Sequence, residues 1–131
     1  MQLSPADIVK LLQISKRPLL HIGNGARHAA KEFFELVESH SIPFVTARNA
    51  NDICGSDHSF YIGRPGTFGQ RAANFAVQTC DVYIAVGTRL SLTQTGYNTK
   101  DYARNAIIVQ VNIDEAEMEK GTLRDPINIQ M

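Results

Sequence analysis

The sequence predicts an α/β domain: a mostly parallel sheet of five or six strands covered by helices on both faces. Three observations carry that expectation. Short runs at Pro18–Ile22, Ile42–Thr46, Val82–Val86 and Ile107–Val111 are nearly continuously apolar, the pattern of strands buried on both faces. Segments with apolar residues at helical spacing separate them, which implies βαβ units and right-handed crossovers. Finally, three of the runs break into polar loops, Gly23-Asn24-Gly25, Gly87-Thr88-Arg89 and Asn112-Ile113-Asp114. Ligands of open α/β sheets bind outside the carboxyl ends of the strands, where such loops lie.

Each element has its own local reason. Ser4 is a good N-cap, Pro5 suits the first helical position, and Asp7 places negative charge where the helix dipole favours it. Ile8, Leu11 and Leu12 then form one stripe, so a helix runs to about Ile14, and Lys16-Arg17-Pro18 ends it. After the first strand and its glycine turn, Ala30, Phe33, Phe34 and Val37 fall at helical spacing. The stretch from Arg48 to Gln70 is polar and irregular, with a brief extended segment at His58–Ile62; a loop this long in a compact domain is usually functional. Gln70 to Cys80 reads as a helix, followed by the strand at Val82–Val86 and a loop to Arg104. Asp114-Glu115-Ala116-Glu117 has capping-box spacing for a short helix. Pro126–Ile129 reads as a last strand, and a chain that stops there looks like a domain cut from a longer protein.

Bulk composition excludes several function classes. The 131 residues suit one domain, and 13 basic against 13 acidic residues leave no net charge, so bulk attraction to nucleic acid or a membrane surface is not expected. No apolar run approaches the length of a membrane helix, and the N-terminus lacks a signal pattern. Cytoplasm is the expected location. Cys54 and Cys80 form neither a CxxC pair nor a disulfide framework and read as reduced thiols.

The motifs are weighed one by one. Gly23-Asn24-Gly25-Ala26-Arg27-His28 begins like the dinucleotide fingerprint, but His28 replaces the third glycine and the later strand ends in Thr46-Ala47-Arg48 without an acid. An ordinary NAD site is therefore not expected. The turn either presents backbone amides to a phosphate or is a tight strand-to-helix connection. Gly63-Arg64-Pro65-Gly66 places glycines and an arginine before a helix, as an anion loop or a structural one. Asp114 either reaches a ribose or caps its helix. Histidines 21, 28, 40 and 58 lack metal-ligand spacing, and His21 reads as a packed, hydrogen-bonded strand residue. No nucleophile elbow, P-loop lysine or catalytic carboxylate pair is present.

As a set, the segments KRPLLHIGNGA, SIPFVTA, DHSFYIGRPGTFGQRAANFAVQTCDVYIAVGTRL and IIVQVNIDEAEMEK resemble the central domain of thiamine diphosphate-dependent enzymes of the acetolactate synthase type. The likeness covers nearly the whole chain. It implies a three-layer Rossmann-like domain of the DHS-like NAD/FAD-binding type, between N- and C-terminal domains that hold thiamine diphosphate and Mg²⁺ and are not in this sequence. It also implies a homo-oligomeric parent, a dimer or tetramer, that joins or cleaves a 2-oxo acid with the cofactor as electron sink. The cofactor-activating glutamate and the GDG…N motif belong to the other two domains, so no residue here is expected to be catalytic.

Carried over residue by residue, the resemblance gives a nucleotide site of Gly23, Asn24, Gly25, Thr46, Ala47, Gly63, Arg64, Gly66, Gly87, Thr88, Arg89, Asn112 and Asp114. Members of the family hold FAD or ADP there, or nothing. This sequence departs at Ser91-Leu92-Thr93, where FAD-binding synthases tend to have Asp-Asp-Arg, at Asn112 in place of an acid, and at Arg64-Pro65 in place of a Met-Leu pair. FAD, ADP and a vacant site all stay open, as do a stand-alone nucleotide-binding regulatory module and a ligand-free scaffold.

Overall fold

Six strands organise the residues described by the computed structural model, which are 3–121 and 123–131. They are β1 (Pro18–Ile22), β2 (Phe44–Thr46), β3 (Tyr61–Gly63), β4 (Val82–Val86), β5 (Ile107–Asn112) and β6 (Ile127–Gln130). The sheet order is β3-β2-β1-β4-β5-β6, and every neighbouring pair is parallel. The order reverses between β1 and β4, the position where open sheets of this kind part to admit a ligand. The expected α/β class with helices on both faces is what the chain forms.

Side-chain alternation splits the interior in two. On one face Leu20, Ile22, Phe44, Val82, Ile84, Val109 and Val111 pack beneath α1 (Pro5–Ile14) and α2 (Ala30–His40). On the other, Leu19, Val45, Tyr83, Ala85 and Ile108 meet Ala73 and Val77 of α3 (Arg71–Thr79) and the buried Leu90, Tyr102 and Ala103 of the long connection after β4. Thus strands with apolar residues at every position serve two layers at once.

The ends of the elements follow their local chemistry. Ser4 Oγ accepts the Asp7 N–H at 3.3 Å and the Asp7 carboxylate accepts the Ser4 N–H at 2.9 Å, so a reciprocal capping box forms where a simple N-cap was expected. The Asp81 carboxylate accepts the amides of Lys16 at 2.8 Å and Arg17 at 3.0 Å, which fastens the turn before β1 to the start of β4. β2 is shorter than expected: the Ile42 N–H donates to Val37 O at 3.0 Å and closes off α2, and the strand begins only after Pro43. The extended segment expected at His58–Ile62 shifts to Tyr61–Gly63, because His58 packs among Phe34, Phe44 and Phe60. The loop expected from Gly87 to Arg104 contains a one-turn helix, α4 (Leu92–Thr95), and a 3₁₀ turn at Thr99–Asp101.

His21 is a packed residue, as its place in a strand suggested. It is fully buried, its Nδ1 is hydrogen-bonded to the Tyr83 hydroxyl, and that hydroxyl lies 2.9 Å from the Tyr102 hydroxyl. Its Nε2 has no partner among the described residues. Burial pushes the imidazole down from 6.5 to about 3, so it stays neutral in the fold. Between those two values the unfolded chain binds one proton more than the folded chain. Stability contributed by this residue is therefore complete above about pH 6.5 and lost on acidification, at about 1.4 kcal/mol per pH unit. Denaturant titrations at several pH values across that window should show a slope steeper in the wild type than in His21→Leu, by up to this amount, whatever the variant's effect on absolute stability. An unchanged slope in the variant would sink the assignment.

Candidate functional site

The site begins with three glycines. The Gly23 N–H donates to Val86 O at 2.8 Å, the Gly25 N–H to Gly87 O at 2.9 Å and the Gly87 N–H to Val111 O at 2.9 Å. A Cβ on Gly23 would stand 2.3 Å from Gly87 O, and one on Gly87, whose φ is 63°, would stand 2.3 Å from Ala26 N. The two strand ends at the reversal are locked backbone to backbone. The glycine turn is therefore a tight connection whose amides at 23 and 25 are spent on the sheet. The chain leaves it as a 3₁₀ turn, Asn24–Ala29, before α2 begins. Arg27 bridges the rim, donating to Asn24 Oδ1 at 2.9 Å, Asp52 Oδ1 at 2.8 Å and Asn49 O at 3.1 Å.

Behind β4 the chain is held by its own polar groups. Buried Thr88 donates through Oγ1 to Gln94 Oε1 at 3.3 Å. The Asn112 side chain donates to Thr88 O at 3.2 Å and accepts the Asp114 N–H at 3.1 Å, joining the ends of β4 and β5. Buried Leu90 turns the chain at a positive φ of 45°, a costly conformation for a branched residue. Arg89 Nε donates to Glu117 Oε1 at 2.6 Å, and Lys120 Nζ donates to Glu117 Oε2 at 2.9 Å and to the Arg89 carbonyl. Lys120 first and Arg89 second hold the Glu117 carboxyl below the usual range. Asp114 caps α5 (Glu115–Glu119) by accepting the Ala116 N–H at 3.0 Å. The expected capping box is incomplete, since Glu117 turns to the two cations instead of back to the cap.

The third loop connects β3 to α3 and is stitched on both sides. Gly66 N–H donates to Asn74 Oδ1 at 2.8 Å, Thr67 N–H to Thr93 O at 2.8 Å, Gln70 N–H to Arg64 O at 2.8 Å, and Arg64 N–H to Gln70 Oε1 at 2.9 Å. Gly66 has a φ of 131°, and a Cβ there would stand 2.8 Å from Thr93 O.

These loops enclose a cleft of about 630 Å³ at the carboxyl ends of β1, β2, β4 and β5. Of the expected site residues, Asn24, Gly25, Ala47, Gly87, Thr88, Arg89 and Asn112 line it. Arg64 and Gly66 line an adjoining pocket of about 140 Å³ that shares Arg48, Thr93 and Gln94 with the cleft. Gly23, Thr46 and Gly63 are buried and line neither space; the Thr46 hydroxyl is bonded to that of Tyr61 at 2.9 Å. Asp114 faces a separate depression with Arg89, Glu117 and Lys120. The sequence reading left Arg48, Asn49, Ser91, Thr93 and Gln94 out of the site. Arg48 was findable, since it follows Ala47 at a strand's carboxyl end, whereas Ser91 immediately precedes α4 and Thr93 and Gln94 lie on it, an element with no strand-end signal.

Neither space is lined by a carboxylate, while three arginines, 48, 64 and 89, line them. That donor set fits an anion such as a nucleotide phosphate. It does not fit thiamine diphosphate with its divalent cation. No group of three His, Cys, Asp or Glu side chains among the described residues is placed to hold a metal ion, and the Gly23–Gly25 turn has no acid and no free amide at either glycine.

An all-parallel sheet with one reversal of strand order defines the doubly wound, Rossmann-like type of domain. Residues 6–130 match the model of the thiamine pyrophosphate enzyme central domain, and the chain belongs to that family. It is 39% identical over 116 residues to an acetolactate synthase large subunit of Porphyra purpurea, covering 87% of this chain and 20% of the relative. A probable acetolactate synthase large subunit of Methanocaldococcus jannaschii is 36% identical over 118 residues, with 88% and 20% covered. The large subunit of acetolactate synthase isozyme 2 of Escherichia coli K12 is 33% identical over 113 residues, with 85% and 20% covered. The chain thus spans about a fifth of the length of these relatives.

The glycine interlock makes a direct prediction. Gly23→Ala forces two backbones apart and should cost roughly 1–3 kcal/mol or more, the range for overpacking. Gly121→Ala meets no atom nearer than 3.9 Å at a φ of 71° and should lose only about 1 kcal/mol of positive-φ strain. Thermal denaturation of both variants tests the ordering; equal losses would mean that the strand ends yield freely.

Proposed function

We propose that this chain works as the middle domain of an acetolactate synthase-like thiamine diphosphate enzyme and holds a nucleotide, ADP or FAD, in the cleft over the reversal between β1 and β4. The observation that carries the reading is the acid-free, arginine-lined cleft at that reversal, in a chain whose charges otherwise balance. The domain does no chemistry on its own residues. Thiamine diphosphate with Mg²⁺, bound by the other domains of the parent, supplies the electron sink for joining or cleaving a 2-oxo acid. Those domains are the chain's partners, within a homo-oligomeric cytoplasmic enzyme. Among the described residues no helix is long and apolar enough to cross a membrane.

Within the cleft, Arg89 meets a phosphate, and Asn24 and Asn112 flank the adenosine. Arg89 lies on the rim, its side chain 80% exposed and paired with Glu117. A surface pair of this kind contributes about 1 kcal/mol at most, so a phosphate can take Arg89 over at small cost. A second reading, a spacer domain with no ligand, is favoured by one observation: the amides of Gly23 and Gly25 are already committed to the sheet.

Calorimetric titration of the chain with ADP, FAD and NAD separates the two. Micromolar binding of ADP or FAD, and none of NAD, is expected. No heat from a folded sample would leave the spacer reading standing. If ADP binds, Arg89→Ala should weaken it by about 1.5–3 kcal/mol, the range for a charged hydrogen bond; unchanged affinity would remove Arg89 from the site.

A further inference from the structure

The pocket beside the cleft is unlike the rest of the surface. It lies between the Arg64–Gly69 loop and α4, and it is lined by two guanidinium groups and no carboxylate. Arg89 already has Glu117 as a partner, and Arg27 has Asp52. Arg48 and Arg64 have no side-chain hydrogen bond, ion pair or aromatic partner among the described residues. Arg64 is half-buried and Arg48 is exposed. Two like charges that share one small pocket repel each other, and an anion between them relieves that cost.

The walls are built to hold such an anion in place. The Gly66 amide is held by Asn74, the Thr67 amide by the Thr93 carbonyl, and the Gln70 amide by the Arg64 carbonyl. The backbone around Gly66 approaches Thr93 too closely for any side chain at that position. Thr93 and Gln94, both uncharged and both able to donate, connect the pocket to the main cleft. The space of about 140 Å³ suits one tetrahedral oxyanion better than the three fused rings of a flavin.

We propose that Arg48 and Arg64 form an oxyanion subsite for a terminal phosphate, so that the ligand of this domain is an anion-ended nucleotide, of the nucleoside diphosphate class, and not FAD. The inference rests on the nucleotide reading above and deepens it. The adenosine part spans the strand ends near Asn24 and Asn112, the inner phosphate lies toward Arg89, and the terminal phosphate enters the pocket. Thr93 and Gln94 contact the ligand between the two.

The test is calorimetry on the 131-residue chain with ADP, inorganic pyrophosphate and FAD, repeated for Arg48→Gln and Arg64→Gln after circular dichroism confirms that each variant is folded. Arg124→Gln is the control, because Arg124 donates to the carbonyls of Arg104 and Ala106 away from the pocket. The expected result is that ADP binds more tightly than FAD, that added salt weakens it, and that each pocket variant loses about tenfold or more while the control does not. ADP bound equally well by both pocket variants overturns the subsite and leaves the nucleotide reading intact. FAD bound more tightly than ADP, and unaffected by either variant, also overturns it. Pyrophosphate bound in an Arg48- and Arg64-dependent way, without ADP binding, supports the subsite and overturns the nucleotide reading. Neither probe bound by the folded chain overturns both.

Discussion

The backbone interlock between the ends of β1 and β4 is the constraint on which the site depends. Parallel strands on either side of a reversal send their connections to opposite faces. The β1–β4 ladder keeps them in register from Pro18 beside Val82 to Ile22 beside Val86, and the interlock carries that register into the loops. Here Gly23 and Gly25 donate to Val86 and Gly87, Gly87 donates to Val111, and none of the first two contacts leaves room for a side chain. One line of hydrogen bonds thereby fixes the first, fourth and fifth strand ends together. The loops that carry Asn24, Arg89 and Asn112 start from that fixed line. The glycines set the floor of the cleft, which Gly25 and Gly87 line directly.

Charge is distributed to the same end. Thirteen acids and thirteen bases cancel over the chain, and two of the four arginines around the cleft have partners: Arg27 with Asp52, Arg89 with Glu117. Exposed pairs like these contribute little stability, but they decide where positive potential remains. Glu117, shared by Arg89 and Lys120, offsets part of the positive charge at the outer edge of the cleft. Arg48 and Arg64 at the other end keep their charge unbalanced.

The layers were legible in the sequence because each rests on short-range patterns. β1 and β4 fall on the residues read for them, since both are apolar runs bounded by Pro18 or Asp81 and by glycine. Their burial on two faces made the sheet parallel before any contact was known. The family resemblance, carried by motifs in order, placed the loops. What the sequence hid depends on contacts between distant residues. Nothing in the Gly23-Asn24-Gly25 run says whether its amides meet a phosphate or Val86 and Gly87; only the neighbouring strand decides. Asp114 and Glu117 have capping-box spacing, yet Lys120 and Arg89 compete for Glu117 and win with charge. α4 is four residues long, too short for any period to register, and it still supplies two of the residues that join the cleft to its side pocket.

The buried chain of His21, Tyr83 and Tyr102 connects this loop to the sheet from the far side. Tyr102 closes the segment that begins at Thr88 and contains α4, and its hydroxyl reaches a polar column inside the sheet layer. Leu90 and Ala103, at the two ends of that segment, are buried and hold positive φ values of 45° and 47°. Conformations of that kind persist only where surrounding packing over-determines them. The segment is thus pinned at both ends, by strained apolar residues against α3 and by a tyrosine hydroxyl, while its middle, from Ser91 to Gln94, faces the cleft. A loop held this way has little freedom to lose when a ligand arrives, and less lost freedom means tighter binding for the same contacts. The cost is carried in the core, where His21 must remain neutral and one of its ring nitrogens lacks a partner among the described residues. Burial of a polar column in the sheet is the stability given up to keep the cleft in shape.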